Sequence, residues 1–240
     1  MGKFWQSHQT MAEKILILGG TKEATQLASE LVATHGKDAV ISSLAGRTKE
    51  PKPVAGQVRI GGFGGIEGLT SFLITQGISK VIDATHPFAT QISANALEAC
   101  RQAGIALDVR TRQPWKKQPK DIWIEVESLD EARRQIPKNA IVLLAIGAKH
   151  LGAFQGLTHA TLIARTVDGP TSEQENMVPA WIVGRPSLEV DEEAQLLKDQ
   201  HVTHIVCRNS GGKGAYAKIA AARALSIPVI IVQHPIVRHP

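Results

Sequence analysis

The chain has 240 residues, 43% of them hydrophobic, which is enough for two small domains or one large one with real cores. Its formal charge is +5 and its pI about 9.3, a balance that suits an anionic partner. Aromatic residues make up only 4%, no Lys/Arg-rich run occurs, and no helix-turn-helix, RNA-recognition or zinc-finger pattern emerges, so a nucleic-acid partner is not expected. The longest apolar runs, such as Ile141 to Ile146 and Val229 to Val232, are far too short to cross a bilayer, and no signal-peptide pattern opens the chain. Cys100 and Cys207 form no CxxC or Cys/His ligand spacing. Neither a disulfide framework nor a metal site is therefore expected, and a reducing cytoplasm is the default location.

Residues 1–11 are largely polar and aperiodic, and are expected to lie outside the fold as an extension or tag. From there short apolar strands alternate with helical stretches. Lys14 to Leu18 reads as a buried strand, and Thr21 to Thr34 carries apolar residues at helical spacing. Ala39 to Leu44 and Gln57 to Ile60 read as strands, and Glu67 to Thr75 as a helix closed by Gly77. A strand at Lys80 to Ala84, a helix at Thr90 to Ala103 and a strand at Ile105 to Val109 follow. Arg110 to Asp121, with its prolines, tryptophan and basic residues, reads as an interdomain linker. Beyond it strands are expected at Trp123 to Val126, Ile141 to Ile146, Thr161 to Arg165, Trp181 to Val183, His204 to Cys207 and Val229 to Val232. Helices are expected at Leu129 to Gln135, Leu188 to Asp199 and Ala215 to Leu225. The alternation predicts an α/β fold with mainly parallel sheets, divided into domains at 12–112 and 113–240.

Ile15 to Leu18 runs into Gly19-Gly20-Thr21 and then a helix. Glycines let backbone approach a pyrophosphate, and helix-start amides bind the anion, with Thr21 as N-cap. Ala24 stands where a later glycine of the dinucleotide pattern would be, and a plain tight turn is the alternative. An NAD site usually places Asp or Glu at the end of the second strand, roughly 20 residues on. Here that end reads Ser42-Ser43-Leu44-Ala45-Gly46-Arg47-Thr48, with no carboxylate. Ser43 and Arg47 suit a 2′-phosphate, so NADPH is expected over NADH; a solvated polar loop is the bland reading.

Gly61-Gly62-Phe63-Gly64-Gly65 is either a ligand-contacting loop or a tight turn with an aromatic plug. Asp83-Ala84-Thr85-His86 follows the fourth strand, where Asp83 and His86 suit proton transfer, or His86 is a turn residue bonded to backbone. Arg208-Asn209-Ser210-Gly211-Gly212-Lys213-Gly214 opens a helix and suits carboxylates or phosphates. Lys218 on that helix points into the site or into solvent, and Arg165 is a further anion candidate.

These segments, in this order, resemble the precorrin-6A reductase family. The likeness runs from Lys14 onward and is carried by Leu18 to Ala24, Ser43 to Arg47, Arg59 to Gly65, Asp83 to Ala89, Asn209 to Gly212 and Lys218 to Arg223. The chain departs in carrying Arg208 where the family suggests a lysine, and a Gly-Lys-Gly stretch where it suggests a threonine. The resemblance implies two Rossmann-like domains with the active site in the cleft between them, and NADPH-dependent reduction of a carbon–carbon double bond of precorrin-6A to precorrin-6B. It implies a carboxylate-rimmed tetrapyrrole as the small-molecule partner. The residues are then expected to divide as follows. Gly19, Gly20 and Thr21 hold pyrophosphate, and Ser43 and Arg47 the 2′-phosphate. The glycines around Phe63, Gly62 and Gly64 included, shape the nicotinamide pocket. Asp83, Thr85 and His86 lie beside the reacting atoms. Arg165, Arg208, Asn209, Ser210, Gly211 and Lys218 anchor substrate. A cobalt-loaded substrate, sometimes with NADH, and a non-catalytic NADP-sensing module are the alternatives.

Overall fold

The structure is a computed structural model that describes residues 13–46, 53–110 and 112–234. The chain divides into two compact units, Met1–Thr111 and Arg112–Pro240. In the first, strands β1 (Ile15–Leu18), β2 (Val40–Leu44), β3 (Gln57–Ile60), β4 (Lys80–Asp83) and β5 (Ala106–Val109) alternate with helices α1 (Lys22–His35), α2 (Gly65–Thr75) and α3 (Thr90–Ala103). The sheet order is β3-β2-β1-β4-β5, with every pair parallel. A parallel sheet covered on both faces needs apolar residues on both, and β1 supplies them without a break. Ile15 and Ile17 pack with Ala24 and Ala28 of α1, while Leu16 and Leu18 pack with Leu69 and Leu73 of α2 and Ala96 and Ala99 of α3. Each such buried Ile or Leu contributes about 1.5–3 kcal/mol. The expected glycine stop after α2 is present: Gly77 has φ 62°, and Ile78 N–H donates back to the Leu73 carbonyl at 2.9 Å.

The second unit holds β6 (Trp123–Val126), β7 (Ile141–Ala145), β8 (Thr161–Thr166), β9 (Ala180–Val183), β10 (His204–Arg208) and β11 (Val229–Val232), with α4 (Leu129–Arg134), α5 (Val190–Asp199) and α6 (Ala217–Ala224). Its order is β6-β11-β10-β7-β8-β9, again parallel throughout. A 3-10 turn at Ala148–Phe154, which hydrophobic periodicity does not announce, follows β7. No helix among the described residues is long and apolar enough to cross a membrane.

The stretch expected as a linker is largely part of the second unit. Trp115 is buried in its core beside Trp123, and its indole N–H donates to the Gly212 carbonyl at 2.7 Å. Asp121 accepts from Arg223 at 2.8 and 3.2 Å. A buried tryptophan outweighs the loop-like composition around it.

Arg165, near the end of β8, is buried and ion-paired inside this unit. Its Nη1 donates to Glu193 on α5 at 2.6 Å, the side chains being 7% and 1% exposed. Glu193 also accepts from the Ser187 amide at 2.8 Å. Removing one member of a buried pair leaves the other charge uncompensated, which typically costs about 3–5 kcal/mol. Glu193→Ala is therefore expected to lower the unfolding free energy by about that amount. Urea denaturation measures it, and a loss below about 1 kcal/mol would show that Arg165 escapes to solvent.

Candidate active site

In open parallel sheets ligands bind beyond the carboxyl ends of the strands, where strand order reverses. In the first unit that point lies between β1 and β4. Gly19 N–H donates to the Ser43 carbonyl at 2.9 Å, which ties the β1 turn to β2. A Cβ on Gly19 would lie 3.6 Å from that of Ala24, an ordinary contact, so the alanine fits here in place of the later glycine of the dinucleotide pattern. Gly20 has φ 103°, which explains its glycine. Thr21 caps α1 as expected, its Oγ1 accepting from Ala24 N–H at 3.0 Å. The same hydroxyl donates its one proton to the Ala84 carbonyl at 2.9 Å. What this turn offers an anion is therefore backbone: the amides of Gly20, Thr21 and Lys22, which have no partner within the helix.

The β4 loop is braced from within. Asp83 is 3% exposed, and its Oδ1 accepts from the Thr85 amide at 3.1 Å and the Thr85 hydroxyl at 2.7 Å. A carboxylate so engaged acts as a scaffold for the loop. His86 and Ala89 close a turn, with Ala89 N–H donating to the His86 carbonyl at 2.7 Å. His86 Nδ1 accepts from Phe88 N–H at 3.3 Å, which puts the ring proton of the neutral imidazole on Nε2.

At the β2 and β3 ends, Ser43 is 7% exposed, and Arg47 lies outside the described residues. Register sets Ser43 opposite Arg59, a residue that sequence pattern left unassigned. Arg59 Nη1 and Nη2 donate to the Gly61 and Gly62 carbonyls, each at 2.6 Å, and Nη1 reaches Ser43 Oγ at 3.5 Å. Its guanidinium lies 3.9 Å from the centre of the Phe63 ring. One face of Phe63 is thus occupied by arginine. Gly61, Gly64 and Gly65 have φ of 111°, 82° and 90°, so the loop's glycines meet a backbone need. β3 lies beyond β2, on the opposite side of β1 from β4.

In the second unit strand order reverses between β10 and β7. Arg208 ends β10, and its Nη1 stands 3.0 Å from Nε2 of His150, on the turn after β7. His150 was invisible in the sequence because its partner is distant in the chain. Asn209 and Gly211 both pack against the segment at Gln113 to Trp115. Asn209 Oδ1 accepts from Trp115 N–H at 2.7 Å, and its Nδ2 donates to the Trp115 carbonyl at 3.0 Å. Gly211 has φ 62°, and a Cβ there would run into the Gln113 carbonyl. Ser210 is buried.

Lys218 is 4% exposed, donates to the Ala215 carbonyl at 2.8 Å, and lies 5.1 Å from the centre of the Trp115 ring. Burial lowers its pKa below the ordinary lysine value; the nearby Cys207 and Glu193 oppose that shift, and Arg165 and Arg208 reinforce it. A base with a lowered native pKa binds fewer protons folded than unfolded, so stability rises with pH between the native and the unfolded value. Lys218→Met is expected to raise the thermal midpoint at pH 7, with a gain that shrinks toward pH 10, measured by calorimetry across that range.

The chain is similar to known proteins over most of its length. A family model described as precorrin-6x reductase CbiJ/CobK matches residues 14–240. A precorrin-6A reductase from Rhodobacter capsulatus is 44% identical over 225 residues, covering 93% of this chain and 89% of that protein. A cobalt-precorrin-6A reductase from Methanothermobacter thermautotrophicus is 30% identical, covering 92% of this chain and 76% of that protein. A solved structure titled CobK precorrin-6A reductase superposes with a TM-score of 0.88 at 41% identity, covering 95% of this chain and 90% of that one. Two parallel α/β units, a glycine turn at the first switch point and a full-length match of this kind identify the chain as a member of the precorrin-6x reductase CbiJ/CobK family.

Proposed function

We propose that this protein reduces one carbon–carbon double bond of precorrin-6A, giving precorrin-6B in cobalamin biosynthesis, with NADPH as reductant. The observation that carries the reading is the 44% identity to a precorrin-6A reductase over nearly the whole chain. The weaker match to a cobalt-precorrin-6A reductase favours the metal-free macrocycle. NADPH over NADH is supported by the carboxyl end of β2, where Ser42, Ser43, Leu44, Ala45 and Gly46 include no carboxylate for a ribose 2′-hydroxyl.

The residues present fit such a cofactor. Gly20 has open space where a Cβ would stand, and the helix-start amides beside it suit a pyrophosphate. With the pyrophosphate there, the adenosine half falls toward β2 and β3, and the nicotinamide half toward β4. The loop around Phe63 then belongs with the adenosine, and Thr85 and His86 with the nicotinamide. When bound, the nicotinamide supplies the hydride, and the protein's part is positioning.

A proton must also reach the carbon next to the one reduced. Asp83 positions the loop, and His86 is the donor in this reading as its imidazolium, formed when Nδ1 gives up the Phe88 amide and takes a proton from solvent, so that donation leaves a neutral ring. Arg208, with Ser210 close to it in the chain, is the cation for a substrate carboxylate in this reading, and Lys218 lies buried on the helix that follows.

Anaerobic NADPH oxidation followed at 340 nm with precorrin-6A, beside NADH and a no-substrate control, tests the assignment. Substrate-dependent loss of NADPH with a shift in the macrocycle spectrum is expected. Cofactor binding without turnover would send the assay to the cobalt-loaded substrate, and its failure there would leave a sensing module. His86→Ala is expected to lower kcat by about tenfold or more while the KM for NADPH holds. Turnover within about twofold of wild type would assign the proton to water.

A further inference from the structure

We propose that Arg59 supplies a cation for the adenosine 2′-phosphate, so that β3 takes part in discrimination between NADPH and NADH. The inference rests on the cofactor reading above and names a residue that reading does not contain.

Three observations carry it. The first is position. Arg59 is paired in register with Ser43 and precedes the glycine loop at the carboxyl edge of the sheet. That edge lies on the side of β1 where the adenosine half of a dinucleotide falls.

The second is charge. Among the described residues Arg59 faces three oxygens, the carbonyls of Gly61 and Gly62 and the hydroxyl of Ser43, and no carboxylate. Arg165 and Arg223 are each met by an acid, Glu193 and Asp121, whereas Arg59, like Arg133, is held by carbonyls. Among the described residues the charge of the part-buried Arg59 guanidinium is met by dipoles and by the faces of Phe63 and Phe72, at 3.9 and 5.4 Å.

The third is donor arithmetic. A guanidinium has five N–H groups. The bonds to Gly61, Gly62 and Ser43 use three of them, so two remain. Arginine binds phosphate through two parallel N–H donors, and a guanidinium already clamped by two carbonyls and stacked on an aromatic ring loses little freedom in doing so.

The competing account is that Arg59 only braces the glycine loop. The two differ in what they predict for ligands that differ by one phosphate. The full-length protein is titrated calorimetrically with 2′,5′-ADP and with 5′-AMP, neither of which needs the macrocycle or the nicotinamide. Wild type is expected to prefer 2′,5′-ADP. Arg59→Met keeps an apolar stem against Phe63 and removes the charge. It is expected to weaken 2′,5′-ADP about 10- to 100-fold and to leave 5′-AMP within about twofold. Arg59→Lys is expected to recover part of the loss. Equal losses for both ligands would make Arg59 a brace and overturn the assignment. An unchanged preference in Arg59→Met, with the thermal midpoint showing a folded protein, would overturn it too and leave the NADPH reading standing. A wild type with no preference for 2′,5′-ADP would overturn both.

Discussion

In a parallel sheet every loop that follows a strand leaves at the same edge, and strand order alone decides which of those loops are neighbours. In the first unit this constraint sets the β1 turn beside the β4 loop, and one hydroxyl joins them. Thr21 Oγ1 accepts the Ala24 amide and donates to the Ala84 carbonyl. The start of α1 is thereby fixed to the segment that carries Thr85 and His86. Asp83 then sets the rest of that segment through Thr85. The polar side chains nearest the switch point are committed to holding backbone, and backbone amides are left to meet an anion. Positioning of this kind is what a hydride-transfer enzyme has to supply, since the chemistry belongs to the cofactor.

The cations divide along the same principle. Arg165 and Arg223 are neutralised within the second unit by Glu193 and Asp121. Lys218 is buried with a carbonyl and an indole face for company, and desolvation works against its charge. Arg59 is met by carbonyls and aromatic faces. Both cysteines are buried, and burial pushes Cys100 up to about 11.

Much of the architecture was legible because buried parallel strands read as short continuous apolar runs. Ile15 to Leu18, Ile141 to Ala145 and Val229 to Val232 are of this kind, and helix α3 matches its expected span residue for residue. The glycine turn and the Thr21 cap were legible for the same reason, since each is local in the chain. Arg59, His150 and the Asn209–Trp115 pair were not. Each draws its meaning from a partner brought alongside by strand order, and no spacing rule reports that. Trp115 misled in the other direction: prolines and lysines around it suggested a linker, while its ring belongs to a core. Arg165 looked like an anion site at the end of a strand, and its acid lay on a helix 28 residues further on.

Asn209 deserves a last consideration for what it joins. Its side chain bonds both backbone groups of Trp115, near the entry to the second unit, and reaches Gln233 Oε1 at 3.5 Å, just past the last strand. Its own amide donates to the Val232 carbonyl at 2.8 Å. The segment at Trp115 and the segment just after the last strand are thus fastened to one residue at the carboxyl end of β10. Loss of that one side chain would release both segments together, so fraying at Trp115 and fraying after Val232 are coupled events.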